Sequence, residues 1–273
     1  MESRISVPPA EPGLPPNDHT SAGPFKVGAP DPVAVDLNEL DDPRTLQILS
    51  TEHWSLLAGR SLTWNESFSR TGLFLSVLSA SVVALGLVGG ATQFGEGFTV
   101  FALVLLPVTL FVGVATFVRL DEVNLEDYFW VAGMNRVRHA YVRIRPSIEP
   151  FLIEGWSDDT EGVARTFLME RHPTVVNTFV HQFITTPGMV AVIDGVLAAS
   201  IAGIVLWKTE MGMSVSLPLV ILIGVVMTGV LFVTSYRRSK RVFATWRPRF
   251  PMPDPDAAHA ADTGGGRTSK AEG

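Results

Sequence analysis

The chain has 273 residues, 47% of them hydrophobic, and a formal net charge of −6. Its mean hydropathy of +0.28 is high for a soluble domain. The acidic balance gives no field that would attract nucleic acid, so we expect no nucleic-acid partner. Cysteine is absent, which excludes disulfides, thiolate nucleophiles and cysteine-bound metals. Lysine occurs only at Lys26, Lys208, Lys240 and Lys270, and this preference for arginine is typical of a bacterial, GC-rich coding sequence.

The first segment, residues 1–42, is rich in proline, serine and glycine and has no apolar period. Such a composition cannot bury enough apolar surface to fold, so we predict a disordered N-terminal tail. No apolar core follows the charged start as it would in a secretory signal. We therefore expect the first membrane helix to direct insertion.

Residues 43–70 form a predicted amphipathic stalk helix that begins at Asp42 and Pro43. Seven apolar residues fall on one broad stripe: Leu46, Leu49, Trp54, Leu56, Leu57, Trp64 and Phe68. No breaker separates the stalk from the apolar run that follows. The stalk could lie on the membrane surface or project into the cytosol. Packing on the protein's own cytosolic region is the simpler interpretation, because the polar face is not strongly basic.

Two uncharged runs, 71–90 and 98–118, predict the first transmembrane hairpin (residues 71–119). Each run has about the 20 residues that a helix needs to cross a bilayer. Glycines at 89, 90, 95 and 97 indicate a short turn between them. Pro107 lies inside the second helix, where it removes a backbone hydrogen bond, so we predict a kink and close packing against other helices.

Residues 120–186 predict a cytosolic helical lobe. From 121 to 145 the apolar residues alternate in steps of four and three, at Trp130, Met134, Val137, Tyr141 and Ile144. These are coiled-coil steps, but two heptads are short, and packing within the lobe is the simpler interpretation. Pro146 and Pro150 end this helix, and two shorter helices are predicted at 157–170 and 173–184.

Runs at 187–207 and 214–236 predict a second transmembrane hairpin (residues 187–236), with Thr186 as N-cap and Pro187 as first helical residue. Residues 237–273 then form a basic flank and a predicted disordered C-terminal tail. The fold class is therefore all-α: an integral membrane protein with four transmembrane helices in two hairpins, a cytosolic helical lobe and disordered termini.

Orientation follows from the basic residues near the ends of the apolar runs. They fall on one side, at Arg60, Arg70, Arg119, Arg136, Arg171 and the cluster 237–249, whereas the two short loops contain only Lys208. Basic flanks stay in the cytoplasm during insertion. We therefore expect both termini and the lobe to be cytoplasmic, in a bacterial cell (inner) membrane.

Asp194 is the one ionisable residue well inside an apolar run. A charge at mid-helix costs about 2.5–3.5 kcal/mol on insertion scales, so such an acid usually faces other helices. One interpretation is an ion or proton site. The simpler one is an acid near the cytoplasmic end, satisfied by water or by a basic residue such as Arg70 or Arg119.

Two further features carry hypotheses. Gly195, Ala199 and Gly203 form a row of small residues that allows close helix packing. The row could pack the helices of one chain together, or it could also contribute to a homo-oligomer. The basic residues after the fourth run could contact anionic phospholipids or act only as a topology anchor; they are Arg237, Arg238, Lys240 and Arg241.

No catalytic signature occurs: the sequence lacks a GxSxG elbow, a GxxxxGK[ST] loop and an HExxH helix. We therefore expect neither an enzyme nor a cofactor or metal site. The interpretation that follows is a non-enzymatic multi-pass membrane protein whose lobe associates with itself or with a partner. The alternative is an oligomeric ion-conducting or transport protein that uses Asp194.

One resemblance concerns residues 45–145, from LQILSTEHWSLLAGRSLTWNESFSRTGLFLSVLSASVVALGLV onward. This stretch resembles uncharacterised bacterial multi-pass membrane proteins. In layout it is similar to the two-helix membrane effector modules of bacterial conflict systems, in which a cytosolic helix precedes a transmembrane hairpin. The resemblance implies a bacterial membrane protein, and the second hairpin is an addition to that layout. No functional residue is carried over from it.

Overall fold

The computed structural model describes residues 42–167, 185–209 and 212–252. These residues are helical and contain no strand, as the sequence predicted. The helices are α1 (Pro43–Thr92), α2 (Glu96–Ile144), a 3₁₀ helix (Pro146–Phe151), α3 (Thr160–Thr166), α4 (Thr186–Trp207) and α5 (Met213–Thr245). The tail predictions for 1–41 and 253–273, and the short helix predicted at 173–184, lie outside the described residues.

Four of the helices, α1, α2, α4 and α5, are long and apolar enough to cross a membrane. Three of them continue well beyond the apolar run that the sequence marked. The predicted stalk and first run form the single helix α1, and the second run continues into the lobe as α2. The basic residues 237–245 are the last turns of α5 and not a separate flank. Each helix continues because its polar part also finds packing partners.

Helix boundaries follow local chemistry. The Asp42 carboxylate caps α1 by accepting the main-chain N–H of Arg44 at 3.2 Å. α1 runs through the two glycines that were predicted to begin the turn, and it ends at Thr92. Gln93 and Phe94 take the left-handed conformation instead. A side chain at Gly89 would meet the Phe94 ring, so that glycine provides space where a turn was predicted.

α4 begins one residue earlier than predicted. Thr185 is its N-cap and accepts the main-chain N–H of Gly188, while Thr186 is the first helical residue. The prediction of Thr186 as the cap is therefore wrong by one position. Both residues are threonines, so the sequence alone does not distinguish between them.

α1 and α2 lie side by side and run antiparallel. Arg60 contacts Asp127 near the far end of the pair, and Ser81 bonds to Thr109 close to the turn, at 2.8 Å. α4 and α5 are likewise antiparallel, with Thr228 donating to the main-chain oxygen of Ala191. α2, a member of the first pair, also contacts both helices of the second pair, α4 and α5.

One apolar core joins all four long helices. Its buried members are Phe74, Ala102, Leu106, Phe117, Leu120, Val190, Ala191, Leu197 and Leu231. A second, smaller core lies in the lobe, which we define as α1 before residue 71 together with residues 121–167, which include the 3₁₀ helix and α3. The buried members of this second core are Val131, Ala132, Met134 and Val163, and Leu56 and Trp246 pack against them. The coiled-coil stripe of α2 therefore packs inside its own chain, since Met134 and Val137 are buried there.

Candidate functional site

Asp194 lies in the third turn of α4, at the junction of α1, α2 and α4. Its side chain is fully buried and lies against Gly113 of α2, which Phe74 of α1 also approaches. A methyl group on Gly113 would overlap the Asp194 carboxylate. The space for this carboxylate therefore exists only because α2 carries a glycine at the crossing point.

Neither carboxylate oxygen of Asp194 has a hydrogen-bond partner among the described residues. The basic partners proposed from the sequence are engaged elsewhere, so that pairing is wrong. Arg70 bonds to Glu66 at 2.7 Å, and Arg119 bonds to Glu66 and Glu126 at 2.8 and 2.7 Å. Among the described residues, Asp194 is thus a buried acid without a counter-ion, which is costly in an apolar medium and typical of functional positions.

A network of ion pairs links the helices just beyond the apolar runs. Arg119 of α2 reaches Glu66 of α1, and this contact, with help from Arg70, holds the pKa of Glu66 at about 2. The hydrogen bonds that Arg119 donates to Glu66 and Glu126 raise the pKa of Arg119. Arg238 of α5 lies 2.8 Å from Glu122 and, more than any other group, lowers the pKa of that carboxyl. α1, α2 and α5 are therefore fixed to one another at this level.

Two buried carboxylates extend the network. Asp127 accepts the indole N–H of Trp64 at 3.0 Å and the Arg60 guanidinium at 2.6 Å. Asp121 accepts a short hydrogen bond from the Ser235 hydroxyl of α5. Both acids follow the second apolar run closely, in the middle of α2, and that position was the signal that could have indicated interhelical pairing.

The small residues of α4 lie against α5. Side chains added at Gly195 would meet Thr228 and the main chain of Gly224, and Ala199 contacts Gly224 as well. Gly203 lies near Val220. The row therefore permits close approach of α4 and α5 within one chain. The neighbouring row, Ala198 and Ala202, lines an open apolar cleft of about 360 Å³ between α2, α4 and α5.

Pro107 lies on the exposed side of α2, and the helix continues through it. Its neighbours Leu106 and Thr109 are buried, and the Thr109 hydroxyl bonds to the main-chain oxygen of Leu105 and to Ser81. The helix around the proline is therefore held by contacts with α1. The kink itself stays a prediction.

Of the four basic residues expected at the lipid surface, Arg238 is committed to Glu122. The other three are exposed on the last turns of α5, and we call them the basic face: Arg237, Lys240 and Arg241. Their helical spacing places Arg237 and Arg241 one turn apart on the same side. Only these three are available for an external anion.

Chemically, the paired charges of the network can hold helices in register, whereas the unpaired Asp194 can accept a proton or a cation. Comparison with known proteins adds no further constraint, since no family model, curated protein or solved structure matches this chain. The resemblance to membrane effector modules therefore stays a prediction. The functional argument depends on the geometry alone.

Proposed function

We propose that this chain is a non-enzymatic multi-pass protein of the bacterial cell membrane, whose lobe associates with itself or with a partner protein in the cytoplasm. The observation that carries the membrane part is an outward-facing apolar surface on all four long helices. Its members include Val82, Val83, Leu87, Val100, Val104, Phe111, Val196, Ile221, Leu222 and Val225. Soluble monomers rarely expose so large a continuous apolar patch, and lipid would cover it here.

Exposed aromatic rings border this surface at both ends. Phe68 and Tyr236 are 63% and 67% exposed at the end nearest the lobe, and Phe94 and Trp207 are 69% and 86% exposed at the other. Phe68 lies about 36 Å before the end of α1 at Thr92, at 1.5 Å per residue, and Phe94 follows that end. That distance suits two aromatic belts at the water interfaces of a bilayer about 40–45 Å thick with its headgroups.

The two hairpins, α1 with α2 and α4 with α5, would place the lobe and both termini on the side that carries the arginines, which is the cytoplasm. The test is a pair of reporters fused after Gly273: a fluorescent protein that folds only in the cytoplasm, and a phosphatase active only outside it. We expect fluorescence and no phosphatase activity. Phosphatase activity alone, or a chain that stays soluble without detergent, would refute this topology.

The lobe exposes apolar side chains that lie outside the bilayer. Phe151 and Ile153, at the end of the 3₁₀ helix, are 82% and 90% exposed. Apolar side chains of this size are typical anchors of protein interfaces. We assign the association surface to this corner of the lobe.

Detergent-corrected light scattering across a concentration series tests the association. The double variant Phe151→Ser/Ile153→Ser should reduce the oligomer or abolish partner capture, while Glu149→Gln, an exposed change in the same segment, should not. A wild-type chain that is monomeric at every concentration and captures no partner would remove this proposal.

The second candidate function is conduction or transport of a proton or small cation by an oligomer, and the observation that favours it is the unpaired carboxylate of Asp194. Asp194 is buried within its own chain, so conduction would require helices to part near Gly113. Ion flux into proteoliposomes tests this candidate. Asp194→Asn should abolish flux that Gly86→Ala, an exposed change in α1, retains. Equal flux from both variants would exclude a role for the acid.

A further inference from the structure

The chain does not leave the lobe when α5 ends at Thr245. Residues 246–252, with the sequence Trp-Arg-Pro-Arg-Phe-Pro-Met, turn back along the lobe, and we call them the strap. Pro248 and Pro251 have no N–H and favour an extended main chain. The strap therefore has few main-chain hydrogen-bond donors. The lobe accepts every main-chain N–H group of the strap that follows Pro248.

Two neighbouring carboxylates accept the strap's main chain. Asp158, which is fully buried, accepts the N–H groups of Arg249 and Phe250 at 2.9 and 2.7 Å, and its own N–H donates to the Phe250 oxygen at 3.3 Å. Asp159 accepts the N–H of Met252 at 2.8 Å. Every main-chain N–H group of residues 248–252 is thus bound to a carboxylate. Such charge-assisted bonds are about twice as strong as neutral ones.

Two aromatic rings anchor the strap on either side of these bonds. Phe250 stacks on His139, with ring centroids 4.2 Å apart and an interplanar angle of 13°. Trp246 packs against Phe129 at 5.1 Å, and the Arg136 guanidinium lies 4.9 Å from the Trp246 ring. The anchors are four residues apart in the strap. The strap bends at Arg249 and Phe250 between its two anchors, and a short proline-interrupted segment held on aromatic side chains is a recurrent mode of peptide recognition.

The lobe forms this site largely without the strap. Asp159 uses its other oxygen to cap α3, accepting the N–H of Gly162 at 2.8 Å. Arg136 holds Asp158 through an Nε contact of 2.6 Å, and Asn135 donates to the main-chain oxygen of Ser157 at 2.9 Å. The acceptors are therefore oriented by the lobe itself. Preorganisation of this kind is what gives a binding site affinity.

We propose that this surface of the lobe is a peptide-binding site whose ligand is the strap sequence, bound in cis by its own chain and in trans by the strap of a second copy. The site takes a short peptide with proline between two aromatic anchors. Exchange of the strap keeps each of these contacts and links two copies, as in domain swapping. The inference rests on the proposed self-association and adds to the corner at Phe151 and Ile153 a second contact between the copies, the exchanged strap.

The first test uses the full chain with Trp246→Ala/Phe250→Ala, which removes both anchors of the strap and leaves the site vacant. A fluorescent synthetic peptide of residues 245–253 should bind this variant. It should bind wild type at least about tenfold more weakly, because an attached segment competes at an effective concentration near a millimolar. The control peptide carries alanine at both aromatic positions and should not bind. Equal binding to the two proteins, or equal binding of the two peptides, overturns the proposal.

The second test does not depend on that variant folding. The chain has no native cysteine, so His139→Cys and Phe250→Cys can be introduced in one chain or in two. A short bismaleimide should link the doubly substituted chain internally and, after the two singly substituted chains are mixed, yield a covalent dimer. Internal linkage without a dimer refutes exchange. A wild-type monomer that nonetheless binds the peptide would refute the proposed self-association and leave the peptide site standing.

Discussion

The crossing of α2 and α4 gives a quantitative test through Gly113→Ala. A Cβ atom at position 113 would lie 2.9 Å from Phe74 Cε2 and overlap the Asp194 carboxylate. Both neighbours are fully buried, so neither can swing into open space. Overpacking a core by a methylene group costs about 1–3 kcal/mol. Replacing glycine by alanine inside a helix stabilises the fold by about 1 kcal/mol, because alanine has the higher helix propensity.

The net effect of Gly113→Ala is therefore a decrease of about 0–2 kcal/mol in the free energy of unfolding. Gly86→Ala is the matched control, since a Cβ there meets nothing within 4 Å. It should gain the helix-forming contribution alone. The two variants should differ by about 1–3 kcal/mol, which for a chain of this size corresponds to about 2–4 °C in Tm for each kcal/mol.

The assay is thermal unfolding of both variants in one detergent, repeated in an Asp194→Ala background. Removing the carboxylate should recover part of the cost of Gly113→Ala, so the double-mutant cycle should show a coupling of about 0.5–3 kcal/mol between the two positions. If Gly113→Ala raises Tm as much as Gly86→Ala in both backgrounds, the crossing described here is wrong.

Three further predictions concern charge. Because its arginine partners hold the pKa of Glu66 at about 2, below the ordinary 4.5, its contribution to stability is full above pH 4.5 and is lost as pH falls toward 2. Glu66→Gln should flatten the profile of Tm against pH in that window. Burial lowers the pKa of His139 below 6.5, so stability should fall as pH drops below that value. The variant His139→Phe, which can keep the stack on Phe250, should lose less stability than wild type between about pH 7 and pH 5. Finally, replacing all three residues of the basic face by alanine should weaken binding of anionic lipid by about 1 kcal/mol per residue. Arg238→Ala should have a smaller effect in the same lipid titration, because that side chain pairs with Glu122.

Part of the site was readable from residue types alone. A single acid in an uncharged run drew attention to Asp194, and the spacing of Gly195, Ala199 and Gly203 indicated a packing face. Both inferences need only the helical period of 3.6 residues. The partner of the acid was not readable, because several arginines lie at a similar depth and only the packing of α2 assigns Arg119 to Glu66.

The strap was not predicted at all. Its composition resembles that of a disordered tail, and no sequence motif marks its acceptors, Asp158 and Asp159. Asp159 does cap α3, yet its second oxygen binds a main-chain N–H 93 residues away in sequence. Contacts at that separation leave no periodic trace in either segment, so composition and spacing cannot indicate them.

The sequence by itself determined the helical class, the four apolar segments and the start of α1 at Asp42 and Pro43, because apolar periodicity, capping residues and prolines act over a few neighbouring positions. Only the tertiary structure decided that Asp194 has no hydrogen-bond partner among the described residues, that Arg238 pairs with Glu122 and that the chain after α5 returns to the lobe. Those outcomes depend on the rotation and register of helices packed together. Both are set by the fit of side chains far apart in the chain, of which each local segment specifies only one half.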